Sequence, residues 1–181
     1  MKKIIAVGGV PGTGKTTLFR EFMKSHEWEK CEPVKLVNAL YCKELDTYIL
    51  GKYEAGEVFA GTDRLSMAVQ PAAQEFIFST TSNVMFEGDR LTNGKFYDFI
   101  LEIKDASVNI IILTAVQNIL TERYEDRGSD QSETFLKGRD TKIGNILSNF
   151  DYMDYTKIFL NETLEDQAVV LDYIKGIFEE S

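Results

Sequence analysis

The segment Gly9-Val10-Pro11-Gly12-Thr13-Gly14-Lys15-Thr16-Thr17 gathers closely spaced glycines, one lysine and adjacent hydroxyls near the start of the chain. Glycines at this spacing let successive backbone N–H groups turn inward on an anion, and a helix starting at the lysine adds its positive end. Gly9 to Thr16 meets the phosphate-loop pattern G-x-x-x-x-G-K-[ST] in full. Lys15 is then expected to bridge the β- and γ-phosphates of ATP as a point charge, and the Thr16 hydroxyl to ligate Mg²⁺. Gly9, Pro11, Gly12, Thr13, Gly14, Lys15, Thr16 and Thr17 form the expected nucleotide-binding set. The bland reading, a glycine turn with an exposed lysine, leaves the apolar run before it and the helical spacing after it unexplained.

Phe86-Glu87-Gly88-Asp89-Arg90 closes a second apolar run. From the end of a buried strand a carboxylate reaches Mg²⁺ directly or through water. Either Glu87 or Asp89 suits that role, and Thr16 and Asp89 are the expected metal ligands. Lys15, Glu87, Asp89, Arg90 and Arg127 are the candidate catalytic residues. Arg90, Arg139 and Lys142 are candidates for holding the acceptor, Arg90 by a bidentate grip on phosphate unless it pairs with a neighbouring acid. An alcohol acceptor would gain from a carboxylate base, for which Asp63, Glu87 and Asp89 qualify. Arg123, Arg127, Arg139 and Lys142 are cations suited to closing over a transferring phosphoryl group, or else surface charges. His26 sits among Ser25, Glu27 and Trp28 and reads as a surface residue. Tyr48, Tyr53 and Phe59 either stack on a base or pack across strands.

The elements that must position these groups alternate along the chain. Lys3–Val7 reads as a strand buried on both faces, and Leu18, Phe19, Phe22 and Met23 recur at helical spacing after it. Val34–Val37 is expected as a strand, with Thr47–Leu50 and Glu57–Ala60 as a hairpin around Lys52–Gly56. Leu65–Phe78 reads as a helix, with Pro71 opening a new turn or kinking it, and Asn83–Phe86 as a strand. A helix carrying Phe96, Phe99, Ile100 and Ile103 precedes a strand at Val108–Leu113. Then come a helix at Val116–Arg127, a polar loop at Gly128–Lys137, a helix at Thr141–Phe150 and a strand at Thr156–Leu160. Thr163 is placed to cap a last helix, with Asp166 in its first turn. The alternation implies a three-layer α/β fold, a mostly parallel central sheet flanked by helices, with the ligand beyond the carboxyl ends of the strands.

At 181 residues the chain is expected to be one domain, 1–181, with a candidate acceptor-binding insertion at 43–64 and a candidate lid at 124–142. No apolar run is long enough to span a bilayer, which points to a cytoplasmic protein with no membrane partner. Cys31 and Cys42 lack the paired spacing of a zinc site or a disulfide framework. The net charge of -9 opposes nonspecific binding to DNA.

Three blocks resemble the nucleoside monophosphate kinases, thymidylate kinase in particular: the phosphate loop, Phe59-Ala60-Gly61-Thr62-Asp63-Arg64, and Glu87-Gly88-Asp89-Arg90. The resemblance implies ATP and Mg²⁺ as cofactors and a deoxynucleoside monophosphate as acceptor. It also implies the Asp63-Arg64 pair as acceptor-binding, with Arg64 at the acceptor base, and Asp89 and Arg90 near the reacting groups. Phage kinases of 5-hydroxymethyluracil in DNA share the general layout, which makes DNA a second acceptor, one the acidic charge disfavours. A reading of another class is a P-loop switch that hydrolyses nucleotide; the Asn-Lys-x-Asp motif of a GTPase does not occur.

Overall fold

The computed structural model describes residues 1–57, 59–126 and 133–180, apart from the side chains of 133–135. Its strands are β1 (Lys2–Gly8), β2 (Glu29–Val34), β3 (Val37–Cys42), β4 (Thr47–Leu50), β5 (Asn83–Glu87), β6 (Ala106–Thr114) and β7 (Thr156–Leu160). The helices are α1 (Lys15–Met23), α2 (Val69–Ser79), α3 (Gly94–Leu101), α4 (Gln117–Asp126), α5 (Glu133–Leu147) and α6 (Leu164–Glu179). All strands join one sheet in the order β2-β3-β4-β5-β1-β6-β7. The run from β4 to β7 is parallel, and β2 and β3 extend it antiparallel at one edge.

Side chains alternate across a strand, so an apolar strand covered on both faces feeds two cores. Ile4 and Ala6 of β1, Val84 and Phe86 of β5, and Ile110 and Ile112 of β6 meet α2, α3 and the Ile143–Ile146 stretch of α5. Their neighbours Ile5, Val7, Met85, Ile111 and Leu113 meet Leu18, Phe19 and Phe22 of α1 and Val170, Ile174 and Ile177 of α6. Thr163 and Asp166 form the expected cap as a reciprocal capping box on α6.

Four expectations are corrected. Val34–Val37 is not one strand: Val34 ends β2, Lys35 and Leu36 turn the hairpin with Leu36 at φ 76, and Val37 opens β3. Val58 of the expected strand Glu57–Ala60 lies outside the described residues; among those described, β4 lies between β3 and β5 rather than against Glu57–Ala60, and an isolated bridge links Lys52 to Gly61. The helix expected from Leu65 starts at Val69, because Leu65 is extended after a short 3-10 turn at Thr62–Arg64. Pro71 lies in the first turn of α2, where its missing N–H has no intrahelical partner to lose. Glu133–Lys137, expected as loop, is already helix, and Phe150 opens a 3-10 turn beyond α5. Arg127 and Gly128–Gln131 lie outside the described residues, as does Ser132.

Two lysines fasten β1 to helix ends on opposite faces. The Nζ of Lys2, 6% exposed, donates to the carbonyls of Ile77, Phe78 and Thr80 at the end of α2. The Nζ of Lys3 donates to Ile177 and Glu180 at the end of α6. The last carbonyls of a helix lack intrahelical donors and carry partial negative charge, which a cation satisfies. Replacing Lys2 by Met is expected to cost about 1.5–3 kcal/mol, the value of a charge-assisted hydrogen bond. A Tm lower by roughly 3–12 °C in a thermal melt is the matching readout.

Candidate active site

β1 and β5 pair in parallel with Val7 opposite Glu87, so both strands deliver their carboxyl ends to one edge. Two residues after Val7 the phosphate loop begins, and α1 starts at its lysine. A cleft of ≈ 440 Å³ opens there, within the range of small-ligand sites. Its lining includes Gly9, Pro11, Gly12, Gly14, Lys15, Thr16, Thr17, Phe59, Asp63, Arg64, Glu87, Asp89, Arg90, Arg139 and Lys142. Of the residues singled out from sequence as catalytic, cofactor-binding or acceptor-binding, Thr13 is fully buried beneath the loop and Arg127 is not described.

Glu87 is the most buried acid of the site, 1% exposed. Its Oε1 accepts hydrogen bonds from the Thr16 hydroxyl at 3.0 Å and the Tyr53 phenol at 3.0 Å. Burial pushes its carboxyl up to about 7; the charge of Lys15 opposes this, Asp63 adds to it, and the Thr16 and Tyr53 hydroxyls oppose it. Burial, with the Glu87 carboxylate beside it, holds the Tyr53 phenol protonated well above its usual range.

Asp89 has different company. Its Oδ1 is 2.7 Å from the Lys142 Nζ and its Oδ2 is 2.9 Å from an Arg139 Nη, so α5 is tied to the end of β5. The Thr16 hydroxyl, expected with Asp89 at the metal, donates to Glu87 here. Among the described residues no group of three or more His, Cys, Asp or Glu converges. Hard oxygen donors at Thr16 and Glu87 nonetheless fit Mg²⁺, which keeps several waters and takes further ligands from phosphate. A buried carboxyl held near 7 is also what a compensating cation would ionise.

The two Asp-Arg blocks dock on each other. The Thr62 hydroxyl donates to the Glu87 carbonyl at 2.9 Å, and the Asp89 N–H donates to the Asp63 carboxylate at 2.7 Å. Asp63 is thus engaged in holding the β5 end. Arg64 Nη1 is 3.4 Å from Glu57 Oε1 yet makes no hydrogen bond, and Arg90 Nε is likewise buried without one. Both guanidinium groups line the cleft. Phe59 is 48% exposed at its rim, whereas Tyr48 packs on Tyr41 and Phe76, and Tyr53 stacks on Phe19. Arg123, expected over the phosphoryl group, instead donates to the Gly12 carbonyl at 2.6 Å. Sequence reading did not join Tyr53 or Thr62 to Glu87, because those contacts link segments far apart in the chain.

A phosphate loop between a strand and a helix, in a mostly parallel sheet covered on both faces, defines a P-loop NTPase α/β fold. The chain belongs to the AAA domain family, whose sequence profile matches residues 5–145. Among solved structures it is similar to a gluconokinase from Sinorhizobium meliloti 1021, with a TM-score of 0.54 and 16% identity over 99% of this chain and 97% of that one. At that identity the likeness is one of fold. No curated protein sequence matches the chain significantly. No helix among the described residues is long and apolar enough to cross a membrane.

Proposed function

We propose that the protein is a cytoplasmic, single-domain ATP-dependent kinase that passes the γ-phosphoryl group to a nucleotide-like acceptor, a deoxynucleoside monophosphate first. The observation that carries this reading is the single cleft in which Lys15, Thr16 and Glu87 face Asp63, Arg64 and Arg90. Family and fold together support a P-loop kinase. Lys15 is assigned to the transferring phosphate, and Thr16 with Glu87 to the metal. Mg²⁺, when bound, supplies charge neutralisation between the phosphates. Asp89 anchors Arg139 and Lys142, whose charges then face the cleft. Transfer to a phosphate acceptor needs positioning and charge alone, so Asp89 becomes a base only if the acceptor is a hydroxyl.

Arg64 and Arg90 present buried N–H atoms without hydrogen-bond partners, which favours an anionic acceptor. The test is transfer from labelled ATP to a panel of deoxynucleoside monophosphates, 5-hydroxymethyluracil-containing DNA and gluconate, beside a control without acceptor. Acceptor-dependent ADP release supports the kinase and names its acceptor. Hydrolysis indifferent to every acceptor sinks the kinase in favour of the switch.

Arg64→Ala is expected to raise the acceptor KM about tenfold or more while that for ATP stays unchanged, since a charge-assisted hydrogen bond contributes about 1.5–3 kcal/mol. If Arg64 served only its pair with Glu57, neither constant would move.

A further inference from the structure

The outward side of the phosphate loop is held by side chains from two other parts of the chain. The Tyr124 phenol donates to the Pro11 carbonyl at 2.6 Å. Arg123 Nη1 donates to the Gly12 carbonyl at 2.6 Å, and Asn161 Nδ2 to the Thr13 carbonyl at 2.7 Å. Two of the donors are bound to each other as well, because Arg123 Nη2 donates to the Asn161 carbonyl, and to that of Glu162 beside it. Asn161, just past β7, is 5% exposed. Its own N–H is fixed to the Thr114 carbonyl at the end of β6. The grip therefore leads back into the sheet.

From this geometry we infer that Arg123, Tyr124 and Asn161 are positioning residues for the phosphate site, a latch that keeps the loop in its anion-binding shape before any ligand arrives. The inference rests on the reading of Gly9–Thr16 as a phosphate site. In a phosphate-binding loop the N–H groups point inward, so the carbonyls of the same peptide units must point away. A carbonyl turned into the protein needs a donor, and each of the three consecutive ones at Pro11, Gly12 and Thr13 has one. Without those donors the glycine-rich loop gains alternative conformations, since glycine restricts the chain least.

The glycines of the loop fit the latch as closely as they fit a ligand. Gly12 and Gly14 adopt φ 84 and 88. A Cβ at Gly12 would lie 2.7 Å from the Tyr124 ring, and one at Gly14 would lie 2.5 Å from the Asn161 amide nitrogen. Two of the spaces left by missing side chains are thus filled by latch residues. The latch residues act on the loop rather than touch the phosphates, so their role is orientation of the N–H groups, and Arg123 contributes reach as well as charge.

Tyr124→Phe, Asn161→Ala, Arg123→Ala and Arg123→Lys test this with two readouts. One is hydrogen–deuterium exchange of the 9–17 segment in the ligand-free protein. The other is the Kd for inorganic tripolyphosphate, a ligand without a base. Each latch variant is expected to exchange faster in that segment and to bind tripolyphosphate about three- to tenfold more weakly, the span of one or two lost hydrogen bonds. Tyr124→Phe changes no charge and keeps the ring, so weakening there cannot be lost attraction, and it is the variant least prone to misfold. Arg123→Lys is expected to remain as weak as Arg123→Ala, because an ammonium cannot span both the Gly12 and the Asn161 carbonyls. Unchanged exchange and unchanged affinity in folded Tyr124→Phe and Asn161→Ala would overturn the latch. So would full rescue by Arg123→Lys, which would make Arg123 a charge and nothing more. Failure of the wild type to bind tripolyphosphate would strike the phosphate-site reading instead, with the exchange data still deciding whether these side chains hold the loop.

Discussion

Lys15→Ala is expected to lower phosphoryl transfer about a hundredfold or more while leaving the fold intact. The side chain is half-buried and packs in neither core cluster; without ligand its Nζ donates to the loop carbonyls of Gly9 and Val10, at 2.8 and 3.1 Å. Its ammonium therefore already lies within the loop, and a short swing brings it onto a phosphate. Losing one charge contact to the transition state costs on the order of 3 kcal/mol. Lys15→Arg is expected to rescue little, since a planar fork on a longer stem does not replace a compact point charge. Steady-state transfer to the best acceptor, beside a circular-dichroism melt, reads the result. Turnover near wild type in a folded Lys15→Ala protein would mean that the cleft does its chemistry without this loop.

The parts of this arrangement that were legible in the sequence are those written in contiguous residues. The phosphate loop is a local pattern, and β1, β5, β6 and β7 are short apolar runs bounded by polar residues. The β2–β3 hairpin was not legible because β2 is an edge strand whose residues are exposed or half-exposed, so Glu29–Val34 shows no alternation, and Pro33 argues against a strand. The start of α5 was hidden by Gly138, which weakens a helical reading although the helix runs through it. Within the site, sequence supplied the carboxylates but not their partners. Glu87 and Asp89 stand two residues apart, yet one turns into the sheet beneath Thr16 and Tyr53 and the other turns out to Arg139 and Lys142. That division follows from a strand ending at Glu87 and a 3-10 turn beginning at Asp89, with Tyr53 packed on one face of the sheet and Ile143 of α5 on the other. Arg123 and Asn161 carry no local signature, because their function is to reach carbonyls more than a hundred residues away in the chain.

The same division separates the two acids by experiment. Glu87→Gln is expected to reduce turnover about a hundredfold or more, because a neutral amide cannot supply the negative charge assigned to the metal. Its effect on the ligand-free fold has the opposite sign. The folded carboxyl titrates at about 7, above its ordinary value of 4.5, since burial penalises the charge more than Lys15 and the donated hydroxyls favour it. Below about pH 4.5 both folded and unfolded chains hold the proton, and the associated stability is fully present. As pH rises through about 7 the unfolded chain has already lost the proton and the folded one is forced to, so stability on the order of 3 kcal/mol is lost across that window. Glutamine keeps the acceptor oxygen for Thr16 and Tyr53 and carries no charge, so Glu87→Gln is expected to be more stable than wild type at pH 8 and equally stable at pH 4.5. A mutant that is inactive and yet harder to unfold at pH 8 marks an acid kept for chemistry at a cost to the fold. Asp89→Asn should behave otherwise: it breaks the pairs with Arg139 and Lys142, so the melt shifts little or downward, and activity falls through misplacement of α5. Urea unfolding from pH 4.5 to 8 and single-turnover transfer on both variants decide between the assignments. If Glu87→Gln keeps its rate while Asp89→Asn loses it, the metal belongs to Asp89 and the buried acid is a structural hinge of β5.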